Sequence, residues 1–259
     1  MSFRQKFVRD VATYVGRDAS FRLSAWLIGT SRPAVVHGSI KSPRLRRAVD
    51  AYTANFMKAT ELCRIMNEYG SDKGIGRHNY GLLYSRLLEG EREKPLKLFE
   101  LGIGINIARP NTDVGLRGRP GASLYGWRQY LPNANIYAAD INHAILFEDD
   151  RIRCFYCDQT DAGSVAALWS RPELKDIEFD FIIDDGLHEF EANRVFLEGT
   201  YKRLRPGGLM IVEDIRYTDN ERWIDYVARW NAGDANIAFI ELPHPYNFVS
   251  NNIACIERF

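Results

Sequence analysis

The sequence predicts an α/β fold: a doubly wound, mostly parallel sheet that closes in a C-terminal antiparallel hairpin and carries an N-terminal helical appendage. Three observations predict it. From residue 97 onward, short apolar runs of strand length alternate with amphipathic segments of helical length. Two of those runs, 179–185 and 208–214, end in the paired carboxylates Asp184-Asp185 and Glu213-Asp214, the pattern of buried parallel strands delivering acids to the carboxyl edge of a sheet. The last two runs, 237–242 and 253–258, are joined by a loop carrying Pro243, Pro245 and Asn247 with no helix, so they must be antiparallel neighbours.

Composition narrows the class. A chain of 259 residues with 46% apolar residues can bury one substantial core with a small appendage. Its zero net charge argues against nucleic-acid binding, although residues 1–50 hold ten Lys/Arg against three Asp/Glu. No apolar stretch approaches the ~20 residues that span a bilayer, and Arg and Asp interrupt the amino terminus, so a soluble cytoplasmic protein is expected. Cys154 and Cys157 fall in a strand at i and i+3, pointing to opposite faces, and read as core cysteines.

In chain order, residues 3–15 place Phe3, Phe7, Val8, Val11 and Val15 at helical spacing beside basic residues. Such a helix either lies on an anionic membrane or another subunit, or packs on its own fold. Ser42-Pro43 and Gly70 bracket a long helix whose seam, Leu45, Val49, Tyr52, Phe56, Ala59, Cys63 and Met66, either pairs with a symmetry mate in a homodimer or packs within its own domain. The boundary between appendage (1–68; packing, lid or dimerisation) and body (69–259) falls here.

Residues 69–80, with Ser71-Asp72-Lys73-Gly74, His78 and Tyr80, form either a loop reaching over the sheet edge or a solvated connector. The first body strand runs into Gly102 and Gly104, which permit close approach to the backbone. A dinucleotide fingerprint wants a third glycine where Ile107 stands, which disfavours a nicotinamide oxidoreductase. The loop 105–121 carries Arg109, Arg117 and Arg119, suited to an anionic substrate group or to solvent. Helices over 123–131, 163–170, 188–204 and 220–230 then alternate with strands over 135–140, 152–158 and the two acid-ended runs.

Those acid ends pose an electrostatic problem. Two like charges about 4 Å apart repel by roughly 4 kcal/mol at an effective dielectric near 20, so the cluster needs hydrogen-bond donors, protonation or a cation. Helix capping by the individual carboxylates is the alternative.

Together, the run Glu100-Leu-Gly-Ile-Gly104, Asp140 ending the second strand, Asp158-Gln159 ending the third, Pro206-Gly207-Gly208 and the terminal hairpin resemble class I S-adenosylmethionine-dependent methyltransferases, over residues 69–259. Ser71-Asp72-Lys73-Gly74, Asp184-Asp185-Gly186-Leu187-His188 and Glu213-Asp214 resemble a narrower group, the metal-dependent sugar O-methyltransferases of the macrocin and mycinamicin type and their relatives in bacterial surface-glycan (capsule) biosynthesis. The resemblance implies a Rossmann-like, seven-stranded sheet and a reaction that moves a methyl group from S-adenosyl-L-methionine to a sugar hydroxyl with Mg²⁺ or Mn²⁺. It implies that Glu100, Gly102 and Gly104 line the cofactor's methionine and ribose. Asp140 would hold the ribose hydroxyls, Asp158 and Gln159 would lie near adenine, and Ser71 and Ser123 would bind the amino-acid end. Asp185, Glu213 and Asp214 would be metal ligands, His188 the general base, and Asp184 would face the cofactor. The implied partner is a sugar, sugar-nucleotide or glycan acceptor, and the implied assembly a homo-oligomer. A catechol-like or amine acceptor, or a non-catalytic cofactor-binding protein, are the other readings.

Overall fold

The computed structural model describes residues 33–55, 58–104, 119–244, 247 and 249–259. The basic helix expected over 3–15, Phe56 of the helical seam, and Arg109 and Arg117 of the long loop lie outside the described residues. Among the described residues nine strands form one sheet, in the order β1-β8-β9-β7-β6-β2-β3-β5-β4. Five of them, β2 (Lys97–Leu101), β3 (Asn135–Asp140), β5 (Ile152–Tyr156), β6 (Phe179–Asp184) and β7 (Leu204–Arg216), are mutually parallel. The hairpin of β8 (Ala235–Glu241) and β9 (Ser250–Arg258) is antiparallel, and β9 docks antiparallel on β7. These are the seven strands the sequence led us to expect. Two short edge strands extend the sheet, β1 (Val35–Gly38) on β8 and β4 (Glu148–Asp149) on β5.

Consecutive strand residues face opposite layers, which is why the strands read as continuous apolar runs. Leu98, Ile183 and Ile211 pack with α1 (Pro43–Asn55), α2 (Glu61–Tyr69), α3 (Tyr80–Leu87) and α4 (Ala122–Tyr130) through Leu45, Tyr52, Met66, Tyr84 and Trp127. Phe99, Ile182 and Met210 face the other layer, where α5 (Ala162–Trp169), α6 (Phe190–Thr200) and α7 (Asn220–Arg229) contribute Val165, Phe196 and Trp223. Cys154 and Cys157 join different layers, as their strand spacing requires.

The long helix expected between Ser42 and Gly70 is two helices. Thr60 breaks it: its hydroxyl accepts from the Cys63 N–H and caps α2, while Gly70 closes α2 in the left-handed conformation at φ 86°. The seam residues Leu45, Val49, Tyr52, Cys63 and Met66 are all buried in the chain's own core, so they are not available to pair with a second copy. Among the described residues no helix is long and apolar enough to cross a membrane.

Candidate active site

The carboxyl ends of the parallel strands open on a cavity of about 460 Å³, within the size range of small-ligand sites. Gly102 and Gly104 follow β2, both with positive φ. At Gly102 a Cβ would stand 2.1 Å from the Asp185 carbonyl oxygen, so only glycine lets the β6 edge lie this close. Asp140, ending β3, accepts from the Ile103 N–H at 3.0 Å and the Asn142 N–H at 2.9 Å. Two backbone amides thus fix the carboxylate while leaving it lone pairs that face the cavity. Ser71, Ser123, Asp158, Gln159, Asp185 and His188 also line it.

Four of the expected residues stand elsewhere. Glu100 is fully buried behind the cavity wall, where it accepts from Ser123 Oγ and Trp127 Nε1 at 2.6 Å each; it orients Ser123 and is itself no part of the lining. Asp184 is equally buried and turned away from the cavity. Gln159 Nε2 donates to both its oxygens at 2.7 and 2.8 Å, and Asn193 Nδ2 donates at 3.0 Å. Gln159 Oε1 in turn accepts from the Leu187 N–H at 2.8 Å, so Asp184 acts through Gln159 on the loop that carries Asp185 and His188. Burial pushes Asp184 up to about 6 despite those donors.

Glu213 and Asp214 do not end their strand; they occupy an irregularity within β7, where the register to β9 shifts between Val212 and Ile215 and Asp214 takes φ 55°. Adjacent residues of a regular strand point to opposite faces, and the irregularity lets both carboxylates turn toward α3. There Tyr84 Oη donates to Glu213, and Tyr80 Oη donates to Asp214 at 2.9 Å. His78 Nδ1 lies 2.8 Å from the same Asp214 oxygen; burial alone would raise that carboxyl, but the histidine holds it at about 2.

Lys73, a loop residue without an expected role of its own, is the cation this edge required. Only 1% of it is exposed, and Nζ lies 2.5 Å from both Asp185 Oδ2 and Glu213 Oε2 and 3.6 Å from Glu100 Oε1. Burial works against its charge, and the carboxylates of Asp185 and Glu213 overcome that, holding Lys73 well above the ordinary lysine value. Both oxygens of Glu213 are therefore engaged, by Lys73 and Tyr84. Of the expected metal ligands, Asp185 and Asp214 offer atoms that lie, together with one of His188, within 4.8 Å of one another. His188 Nε2 is 3.9 Å from Asp185 Oδ1 and 4.0 Å from Asp214 Oδ2. At the cavity rim, the Arg119 guanidinium sits over Tyr125, with its carbon 4.7 Å from the ring centre.

No family model matches the chain. Among curated proteins it is 31% identical over 170 residues to an 8-demethyl-8-(2-methoxy-alpha-L-rhamnosyl)-tetracenomycin-C 3'-O-methyltransferase of Streptomyces olivaceus, a match covering 65% of this chain and 40% of that one. It is 29% identical over 155 residues to the demethylmacrocin O-methyltransferase of Streptomyces fradiae, covering 60% and 36%. The chain thus spans less than half the length of these relatives. Among solved structures it resembles the MycE methyltransferase of the mycinamycin biosynthetic pathway in complex with Mg and SAH, with a TM-score of 0.57 and 23% identity over 82% of this chain and 58% of that one. The sequence relatives of this chain are sugar O-methyltransferases of the macrocin, mycinamicin and tetracenomycin type, and its fold is the Rossmann-like fold of class I methyltransferases.

Proposed function

We propose that this chain transfers a methyl group from S-adenosyl-L-methionine to a sugar hydroxyl of a glycosylated small molecule, with a divalent cation, Mg²⁺ or Mn²⁺, at the acidic edge of the sheet. The observation that carries the reading is the convergence of Asp185, His188 and Asp214 at the edge of the cavity that Asp185 and His188 line with Gly102, Asp140 and Gln159. The donor set fits a hard cation: the carboxylates of Asp185 and Asp214 supply oxygen ligands, and their oxygens stand 3.9 and 4.0 Å from His188 Nε2. The cavity fits the cofactor through the fixed carboxylate of Asp140, the amide of Gln159 and the glycine turn that brings backbone close. The tetracenomycin relative is named for a rhamnosyl-bearing substrate, which is the basis for choosing a glycoside acceptor over a capsular polysaccharide.

When bound, the cofactor supplies an electrophilic methyl and the cation stabilises an acceptor alkoxide. Activation of the acceptor falls to the protein, because a sugar hydroxyl is a poor nucleophile while it keeps its proton. Asp185 and Asp214 would hold the cation. His188 Nε2, beside both carboxylates, would accept the hydroxyl proton. The Gln159–Asp184–Asn193 bonds hold the loop bearing Asp185 and His188, and with it the distance between base and carboxylates.

Labelled S-adenosyl-L-methionine incubated with a panel of deoxysugar glycosides should give methylated glycoside, the rate collapsing in EDTA and returning with Mg²⁺ or Mn²⁺. Transfer indifferent to chelation removes the metal from the mechanism. Transfer only to catechols or amines removes the sugar.

A further inference from the structure

The cavity lining changes in character along the sheet edge. Asp140 ends β3, and Asp158 and Gln159 follow β5, the first and second strands beyond β2. Beside β2 itself the lining is Ser71, next to the Gly70 cap of α2, Ser123 in the first turn of α4, and Arg119 just before that helix. Backbone bonds fix this end: the Gly121 N–H donates to the Ile103 carbonyl at 2.7 Å and the Ala122 N–H to the Arg119 carbonyl at 3.1 Å. The two serines offer opposite polarity. Ser123 Oγ gives its proton to Glu100 at 2.6 Å, which leaves its oxygen as an acceptor. Ser71, 5% exposed, accepts from the Lys73 N–H at 3.3 Å and gives its own proton to no acceptor among the described residues.

Arg119 is exposed and yet held in place. Its guanidinium carbon lies 4.7 Å from the centre of the Tyr125 ring and 5.8 Å from that of Tyr69. Those rings stack at 5.9 Å, and Tyr125 stacks on Phe147 at 5.5 Å. A guanidinium held over a ring keeps its N–H edge free for a planar anion. Among the described residues that edge makes no ion pair and no hydrogen bond. Arg128 supplies the contrast, because it shares the Tyr125 ring at 5.0 Å but has its charge taken by Asp149 at 3.2 Å.

We infer that Arg119, positioned by Tyr125, receives the carboxylate of the cofactor's amino-acid end together with the Ser71 hydroxyl, while Ser123 accepts from the adjacent ammonium. The inference rests on the cofactor reading above: a ribose at Asp140 and an adenine beyond it direct the amino-acid end toward β2 and α4, where these groups converge. The match is chemical. A carboxylate fits the fork of a guanidinium, and a ligand with neighbouring charges of opposite sign fits a free donor edge set beside a committed acceptor.

The test is isothermal titration calorimetry of the full chain with three ligands. They are S-adenosyl-L-methionine, its decarboxylated form, which keeps the ammonium, and 5′-methylthioadenosine, which lacks the whole amino-acid end. Wild type should bind S-adenosyl-L-methionine about tenfold more tightly than the decarboxylated form, the scale of a hydrogen-bonded charge pair. Arg119→Ala should lose most of that factor for S-adenosyl-L-methionine and bind the other two ligands as wild type does. Arg119→Lys keeps the charge without the fork and should recover part of the loss, and Tyr125→Leu should fall between wild type and Arg119→Ala. Arg128→Ala should behave as wild type. Equal affinity of wild type for the carboxylated and decarboxylated ligands overturns the inference while leaving the cofactor reading intact. So does an Arg119→Ala variant that binds all three as wild type does or weakens all three alike, and so does an equal loss in Arg128→Ala, which would make the effect one of overall positive charge. Failure of wild type to bind any of the three overturns the cofactor reading itself.

Discussion

Replacing Gly102 by alanine tests how the site is built. Gly102 sits at φ 84° under the Asp185 backbone, and both segments are pinned: the Gly102 N–H donates to the Ala139 carbonyl at 2.8 Å and the Asp185 N–H to the Leu101 carbonyl at 2.9 Å. The new methyl would lie 2.1 Å from the Asp185 carbonyl oxygen and 2.7 Å from its carbon, where ordinary contact begins at 3.4 Å. Something must move by more than about 1 Å, and a displacement of that size at a reacting centre costs on the order of 10²-fold in rate. The left-handed conformation adds ~1–2 kcal/mol of strain for alanine, and overpacking adds roughly 1–3 kcal/mol. Gly104 is the internal control. It too has positive φ, at 95°, but among the described residues its Cβ would meet only Pro120 Cα, at an ordinary 3.8 Å, so Gly104→Ala carries the strain without the clash. Urea unfolding and Mn²⁺ titration of the two variants should separate them: Gly102→Ala less stable and weaker in Mn²⁺ binding, Gly104→Ala impaired in stability alone. Equal stability and equal Mn²⁺ affinity in the two would refute the claim that the Gly102 contact positions Asp185.

Two further expectations concern buried and part-buried titratable groups. Burial raises Asp184 to about 6 from an ordinary value of 3.8, so the folded chain binds that proton more tightly than the unfolded one. Its contribution to stability is complete below pH 3.8 and lost as pH rises through about 6; urea midpoints from pH 4 to 7 should therefore fall more steeply in wild type than in Asp184→Asn, and parallel slopes would contradict this. Burial also pushes the thiols of Cys154 and Cys157 to about 11 and about 12, so a thiol reagent at pH 8 should modify them only on unfolding, and rapid labelling of the folded protein would show the burial to be wrong.

The parts of this fold legible in the sequence are those written in local patterns. The strand runs, the terminal hairpin, Gly102, Asp140 and the two neighbouring strands that carry the acid pairs each follow from a periodicity or a residue type within a few positions. What escaped the sequence depends on tertiary contact. The two-helix break at Thr60 carried a capping signal, Thr60 followed by Glu61, but the continuous apolar seam hid it. The strand at 35–38 is too short and half-exposed to alternate clearly. Asp184 and Glu100 face the interior because Gln159, Asn193, Ser123 and Trp127, distant in sequence, supply their donors. Lys73 was the largest omission. A lysine in a polar loop carries no sign of burial, yet carboxylates gathered at one edge need a cation or other donors. The spacing of Tyr80 and Tyr84 at i and i+4 on one helix face is the local sign that a donor ladder awaits Glu213 and Asp214.

The most direct measurement is the kinetics of His188→Ala with the cofactor and a glycoside acceptor, read beside equilibrium binding of S-adenosyl-L-methionine. Because His188 Nε2 stands at the carboxylates, while Asp140 and Gln159 define the cofactor side of the cavity, turnover should fall by roughly 10²–10⁴-fold with the cofactor Kd little changed. Near-normal turnover, or a loss confined to cofactor binding, would contradict the assignment of His188 as the group that takes the acceptor's proton.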